Sequence, residues 1–178
     1  MTTEIPNLAN LEYLPYIDAE GKLPSSLQRK IGVYAIFDSE KNLQFVGYSR
    51  DVYVSLKQHL VRQPAYCYWL KVQTIERPSR TILDNIQQAW IAENGSVPAG
   101  NSSAANLWTQ PIDAKLQMTA EEKAREGETV DDVAKDKFLK NVARRVQAEI
   151  LAELKERGVE EEIRFNPKLK TSGLLDLK

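Results

Sequence analysis

Apolar positions in this chain fall into short blocks separated by polar punctuation. Ile31–Phe37 reads IGVYAIF and Leu43–Tyr48 reads LQFVGY. Both are dense in β-branched and aromatic residues, and Asp38–Asn42 between them is polar. Two such runs joined by a short polar turn predict a β-hairpin. Ser49, read as an N-cap, opens a helix to about Val61, with Val52, Leu56, His59 and Leu60 on one face. Tyr66–Ile75 predicts a third strand. Ser79 opens a second helix over Arg80–Asn94, whose apolar stripe is Ile82, Leu83, Ile86, Ala89, Trp90 and Ile91. Gly95 ends it, since glycine accepts the left-handed conformation of a helix terminus. Residues 97–103 are a loop.

The flanks differ. Residues 1–28 carry Pro6, Pro15, Gly21 and Pro24, which leave room only for a short helix near Ser25–Arg29. Leu8, Leu11, Tyr13, Leu14, Tyr16 and Ile17 make this an arm that packs on the domain. Residues 111–130 read as a polar linker with a strand-like piece, Ala114–Met118. Val142, Val146, Ile150 and Leu154 recur every four residues and predict a long helix over 130–157, stopped by Gly158. Residues 160–165 suggest a short strand. The expected layout is therefore an arm (1–28), a domain (29–110), and a linker with a helical extension (111–178). The fold class is α+β, a small antiparallel sheet with a three-stranded core flanked by helices.

Composition narrows the chemistry. The chain has 178 residues, 42% hydrophobic and 28% charged, the profile of a globular protein. Its one cysteine excludes an internal disulfide framework, and its one histidine excludes a multi-histidine metal site. Neither a dinucleotide nor a P-loop fingerprint occurs. No export pattern or spanning run is seen, so the expectation is a cytoplasmic protein with no membrane partner. The net charge of −1 is unevenly spread: −3 over residues 1–28, +3 over 29–110 and −1 over 111–178. The basic middle permits contact with nucleic acid without demanding it.

Gly32-Val33-Tyr34, then Phe45-Val46-Gly47 after ten intervening residues, then a helix ending in His59-Leu60, then Pro98-Ala99-Gly100-Asn101, resemble the GIY-YIG nuclease superfamily. The resemblance covers roughly residues 29–104. It is closer still to the domain that precedes the glutaredoxin part of plastid monothiol glutaredoxins, and to that domain's stand-alone cyanobacterial relatives. The order and spacing of these short motifs carry more than any one of them.

The family's reaction is phosphodiester hydrolysis. It needs an activated nucleophile, countercharge for the transition state and a divalent metal. The resemblance implies a tyrosine on the first strand, present as Tyr34, and a second on the next strand, replaced by Phe45. It implies an arginine on the first helix, where Ser55 stands, and a metal-binding glutamate on the later helix, where Gln87 stands. The histidine found in some members is present as His59. The two groups that carry charge are thus lost. An amide is a poorer ligand than a carboxylate for Mg²⁺ or Mn²⁺, the cofactor an active enzyme would use. Asp84, about 60° around the helix from Gln87, is the substitute metal ligand to examine. Gly47, Arg50, Lys57 and Arg62 are candidates for contact with DNA. Cys67 reads as a buried small residue, or as a redox-sensitive thiol facing a glutaredoxin-like partner. Three functions stay open: a nucleic-acid binder with a degenerate centre, an active metal-dependent endonuclease using Tyr34, and a protein-interaction or redox-linked module.

Overall fold

The computed structural model of the chain describes residues 4–178. Two compact units form, one ending at Thr109 and the other spanning Gln110–Lys178.

The first unit is built on an antiparallel sheet. Its strands are β1 (Leu14–Pro15), β2 (Ile31–Phe37), β3 (Leu43–Ser49) and β4 (Trp69–Ile75), in the order β1-β4-β2-β3. The three-stranded core expected from the sequence is present, and the arm adds the fourth strand. Leu14 pairs with Leu70 and Pro15 with Trp69. A proline is tolerated there because an edge strand has an N–H position that no neighbour needs. Beyond it, the Tyr16 N–H donates to the Tyr68 carbonyl at 3.0 Å. The Tyr16 hydroxyl, fully buried, donates to the Leu56 carbonyl. The arm is therefore fixed to both the sheet and the first helix.

Helix α1 (Val52–Arg62) and helix α2 (Arg80–Asn94) cover opposite faces of the sheet. The alternation of side chains along a strand decides which face each helix meets. Val33, Ala35, Phe37 and Val46 form one core cluster with Leu83, Ile86 and Trp90 of α2. Tyr34 and Phe45 lie on the other face, toward α1, because Tyr34 pairs with Gly47 and Ile36 with Phe45. The cap of α1 differs from expectation. Asp51, not Ser49, is the N-cap, accepting from the Val54 N–H, while Ser49 is the last residue of β3. The third strand also starts later than expected, because Pro64–Tyr66 turns as a 3-10 helix.

Strand β3 is an outer strand, so its free edge needs cover. The Pro98–Asn101 segment supplies it. The Asn101 side chain accepts from the Val46 N–H and donates to the Val46 carbonyl, both at 2.8 Å. One amide group thereby imitates a strand neighbour. Gly100 allows the approach: a Cβ there would sit 2.5 Å from the Gln44 carbonyl oxygen. Gln87 of α2 also donates to the Val46 carbonyl at 2.8 Å.

The second unit corrects the sequence reading in three places. Ala114–Gln117 is a 3-10 helix rather than a strand, and the strand is Ile112–Asp113 (β5), paired with Leu174–Leu175 (β6). The expected linker contains a helix, Ala120–Glu128, fixed by a capping box between Thr119 and Glu122. Residues 160–165 contribute only a single bridge, Phe165 with Leu177. Arg145 ties the long helix to the Ala120–Glu128 helix. It forms a bidentate pair with Glu122, also bonds Glu149, and donates to the Gln117 carbonyl. The long helix, Asp132–Glu156, is as expected, with Val142, Val146, Ile150 and Leu154 buried. Labels α3 (Ala105–Thr109), α4 (Ala120–Glu128) and α5 (Asp132–Glu156) complete the helices. Among the described residues no helix is long and apolar enough to cross a membrane.

The edge clamp gives a first prediction. Asn101→Ala removes both bonds to Val46 and should cost about 2 kcal/mol, at roughly 1 kcal/mol for each net hydrogen bond. Urea unfolding measures this, and exposed Ser103→Ala should stay within about 0.5 kcal/mol of the parent.

Candidate functional site

The family positions on the α1 face meet at one point. The Tyr34 hydroxyl and the His59 Nε2 are 2.8 Å apart. Phe45 lies against both rings, 6.2 Å from Tyr34 and 4.7 Å from His59 between centroids. Gly47 forms the floor. A Cβ there would be 2.5 Å from Phe45 Cε1 and 2.8 Å from the Tyr34 hydroxyl. The glycine of this motif is thus required by the rings that pack on it, and it is buried rather than lining an open groove.

Trp108 of α3 closes the cluster. Its ring stacks on Phe45 at 5.3 Å with an interplanar angle of 2°, and lies 5.7 Å from His59. Tyr34, Phe45, His59 and Trp108 are each 5% exposed or less. The end of α1 holds this lid in place. Arg62 donates from Nη1 to the Trp108 carbonyl at 3.0 Å, and Gln63 donates to the Leu107 carbonyl. Sequence reading gave Trp108 no role. Its only signal was a large aromatic residue in an otherwise polar stretch after the Asn101 loop.

The polar atoms inside form a directed chain. Ser49 Oγ donates its proton to the Asp51 carbonyl at 2.9 Å. It therefore accepts at 2.7 Å from Ser55, whose single proton is used there. Ser55 also lies close enough to the Tyr34 hydroxyl to favour its ionised form slightly. In the Tyr34–His59 pair either group can donate, according to the tautomer of the neutral ring. The His59 Nδ1 is left with no well-formed hydrogen bond. Ser55, the residue expected to stand where the resemblance implies an arginine, bonds Ser49.

Electrostatics follow from the closure. Burial pushes the Tyr34 hydroxyl well above the ordinary tyrosine range, against smaller opposing effects from Ser55 and the Arg62 charge. Burial, and then the Arg62 charge, push His59 down to about 3, with the Trp108 carbonyl opposing. A phenol this hard to ionise is a poor nucleophile or base, and an imidazole this hard to protonate is a poor acid.

The remaining candidates lie apart. Gln87 comes from the α2 face and its amide donates to the Val46 carbonyl. Asp84 is exposed on α2. Among the described residues no three His, Cys, Asp or Glu side chains gather as a metal site. Donors of this kind, one engaged amide and one solitary carboxylate, do not fit Mg²⁺ or Mn²⁺, which want several oxygens. Arg50 is exposed and Lys57 half-buried, whereas the Arg62 guanidinium is engaged with Trp108. Cys67 is fully buried, and its thiol donates to the His59 carbonyl at 3.5 Å. That geometry is the one expected of a small packing residue.

The fold is thus an α+β unit with a four-stranded antiparallel sheet between helices, carrying an aromatic cluster in place of an open cleft. No protein-family model matches the chain. It is a distant homologue of the bifunctional monothiol glutaredoxin-S16, chloroplastic, of Arabidopsis thaliana, with 34% identity over 119 residues. The aligned stretch is 65% of this chain and 39% of that protein, so the chain spans well under half the length of its relative.

Two predictions follow from the closed cluster. Gly47→Ala should lose about 1–3 kcal/mol of stability through overpacking, and Trp108→Ala about 3–5 kcal/mol through a cavity, both read by urea unfolding. The second concerns acid. The unfolded chain protonates His59 near pH 6.5, but the folded chain does not until about 3. Stability from this group is therefore present above about 6.5 and falls with pH down to about 3, at roughly 1.4 kcal/mol per unit. Between pH 7 and 5 the parent should lose about 2 kcal/mol more than His59→Gln. As the chain holds a single histidine, that difference reports this ring alone.

Proposed function

We propose that the first unit is a GIY-YIG-like module that has kept the nuclease scaffold, lost the cutting chemistry, and acts by binding. The observation that carries this reading is the enclosure of Tyr34 in the cluster that Trp108 closes, with its hydroxyl engaged by His59. A phosphodiester cannot reach that oxygen without removal of the lid. The substitutions agree with it. Ser55 supplies no fixed charge for a phosphate, and Gln87 offers no carboxylate to a metal. Losing one transition-state donor typically costs a factor of about 10² to 10³, and here two charged groups are replaced.

Nucleic acid is the ligand class we propose for this module. It is favoured by the resemblance in the strand motifs and by the +3 charge of residues 29–110. Arg50 and Lys57, outside the closed cluster, are the side chains proposed to meet phosphates. Arg62 is better read as a lid anchor. A second reading, a module that works beside a glutaredoxin, is favoured by the similarity to a protein that bears that name. In that reading the surface makes the contact, since the Cys67 thiol is enclosed.

Supercoiled plasmid with Mg²⁺ or Mn²⁺ tests the proposal. The parent and Tyr34→Phe should nick it no faster than an EDTA control. Labelled DNA should bind with an affinity that falls as salt rises, and Arg50→Ala with Lys57→Ala should weaken it and flatten the salt dependence. Metal-dependent nicking lost in Tyr34→Phe would overturn the silent-centre reading. Absence of salt-sensitive binding would leave the glutaredoxin-linked reading.

A further inference from the structure

A second site lies on the α2 face of the sheet, away from Tyr34. A cavity of about 330 Å³ opens between the arm, the β2–β3 turn and the end of α2. Its wall holds Lys71, whose side chain comes from the middle of β4 and is 4% exposed. The Lys71 ammonium donates to the Leu8 carbonyl at 3.0 Å and stands 4.1 Å from the centre of the Tyr13 ring. An ammonium has three donors, so two remain for other partners. Among the described residues no carboxylate pairs with it. Glu93, the acid in the cavity wall, directs its two oxygens to the Leu8 and Ala9 N–H groups, each at 2.8 Å.

A second cation faces the same ring. Lys41 takes φ +64 in the tight turn, where Asp38 accepts from the Glu40 and Asn42 N–H groups. That conformation is costly for a lysine and is tolerated at few positions. It places the Lys41 ammonium 4.7 Å from the Tyr13 centroid and 5.0 Å from that of Trp69, with no carboxylate on it among the described residues. Two ammonium groups thus converge on one aromatic ring at the mouth of a cavity, and the Glu93 carboxylate in its wall, though bonded to the arm, acts on Lys71. Such an arrangement is unfavourable by itself and favourable around an anion. Burial and the Lys41 charge both lower the Lys71 pKa, while Glu93 raises it.

We propose that this cavity binds a small molecule through an oxyanion head, a phosphate or carboxylate bridged by Lys41 and Lys71, with Tyr13 packing against its body. The site is independent of any action of the Tyr34 face. Because the arm supplies Tyr13 and Leu8, the ligand would also hold the arm to the sheet.

Inorganic phosphate and citrate, each titrated into the full chain at constant ionic strength and followed by amide and lysine side-chain NMR, test this. We expect saturable shifts at Lys41, Lys71 and Tyr13, with Lys71→Met and Lys41→Asn each weakening the stronger ligand by about tenfold or more. Lys41→Asn lies on an exposed turn and its new residue accepts positive φ, so it keeps the test valid if Lys71→Met folds poorly. Saturation by phosphate alone or citrate alone would name the head group. No saturable shift with either, or equal shifts in the parent and Lys41→Asn, would overturn the proposal.

Discussion

The bond between the Tyr34 hydroxyl and His59 Nε2 is the interaction on which the first unit depends. Two polar groups lie where sheet and helix bury their apolar faces. Each would be costly there alone, by several kcal/mol for an unmet hydroxyl. Together they join strand β2 to the last turn of α1. The closed ring cluster follows. Gly47 must lack a side chain, Phe45 must lack a hydroxyl that would need its own partner, and Trp108 must cover the top. Tyr34, Phe45, His59 and Trp108 are packed together as part of the core.

The same scaffold gives the Pro98–Asn101 segment a structural task. Asn101 and Gln87 both address the one backbone unit of Val46. They finish the outer edge of β3 and hold the segment that leads into α3. The lid depends on the loop before it, because α3 begins only four residues after Asn101. Cover of the β3 edge and closure of the aromatic cluster are thus one structural problem. On the opposite face, α2 and the arm enclose a differently charged space, with lysines where the Tyr34 face has uncharged rings.

The hairpin, α2 and the long helix were legible because each has a periodic apolar pattern and local stop signals such as Gly95 and Gly158. The class of fold followed from their order. The fourth strand was not, since Leu14–Pro15 is too short to show a period and pairs with residues more than fifty positions away. Helix α4 was hidden by its uniformly polar composition; its stability comes from a capping box and the Arg145–Glu122 pair, which requires α5 in place. At the candidate site the sequence showed which groups were present or replaced, but not that Trp108 covers them. That depends on a stacking contact across sixty-three positions, with no periodic trace. The shared ring of Lys41 and Lys71 was equally invisible, because the turn, β4 and the arm meet only in three dimensions.

The most direct measurement of the central claim is the ¹⁵N spectrum of the His59 ring in the full chain near neutral pH. A sealed cluster predicts a neutral imidazole held in one tautomer, with unchanged shifts down to pH 5. A ring that titrates near 6.5 with its two nitrogens averaging would show an open, wet site and contradict the account.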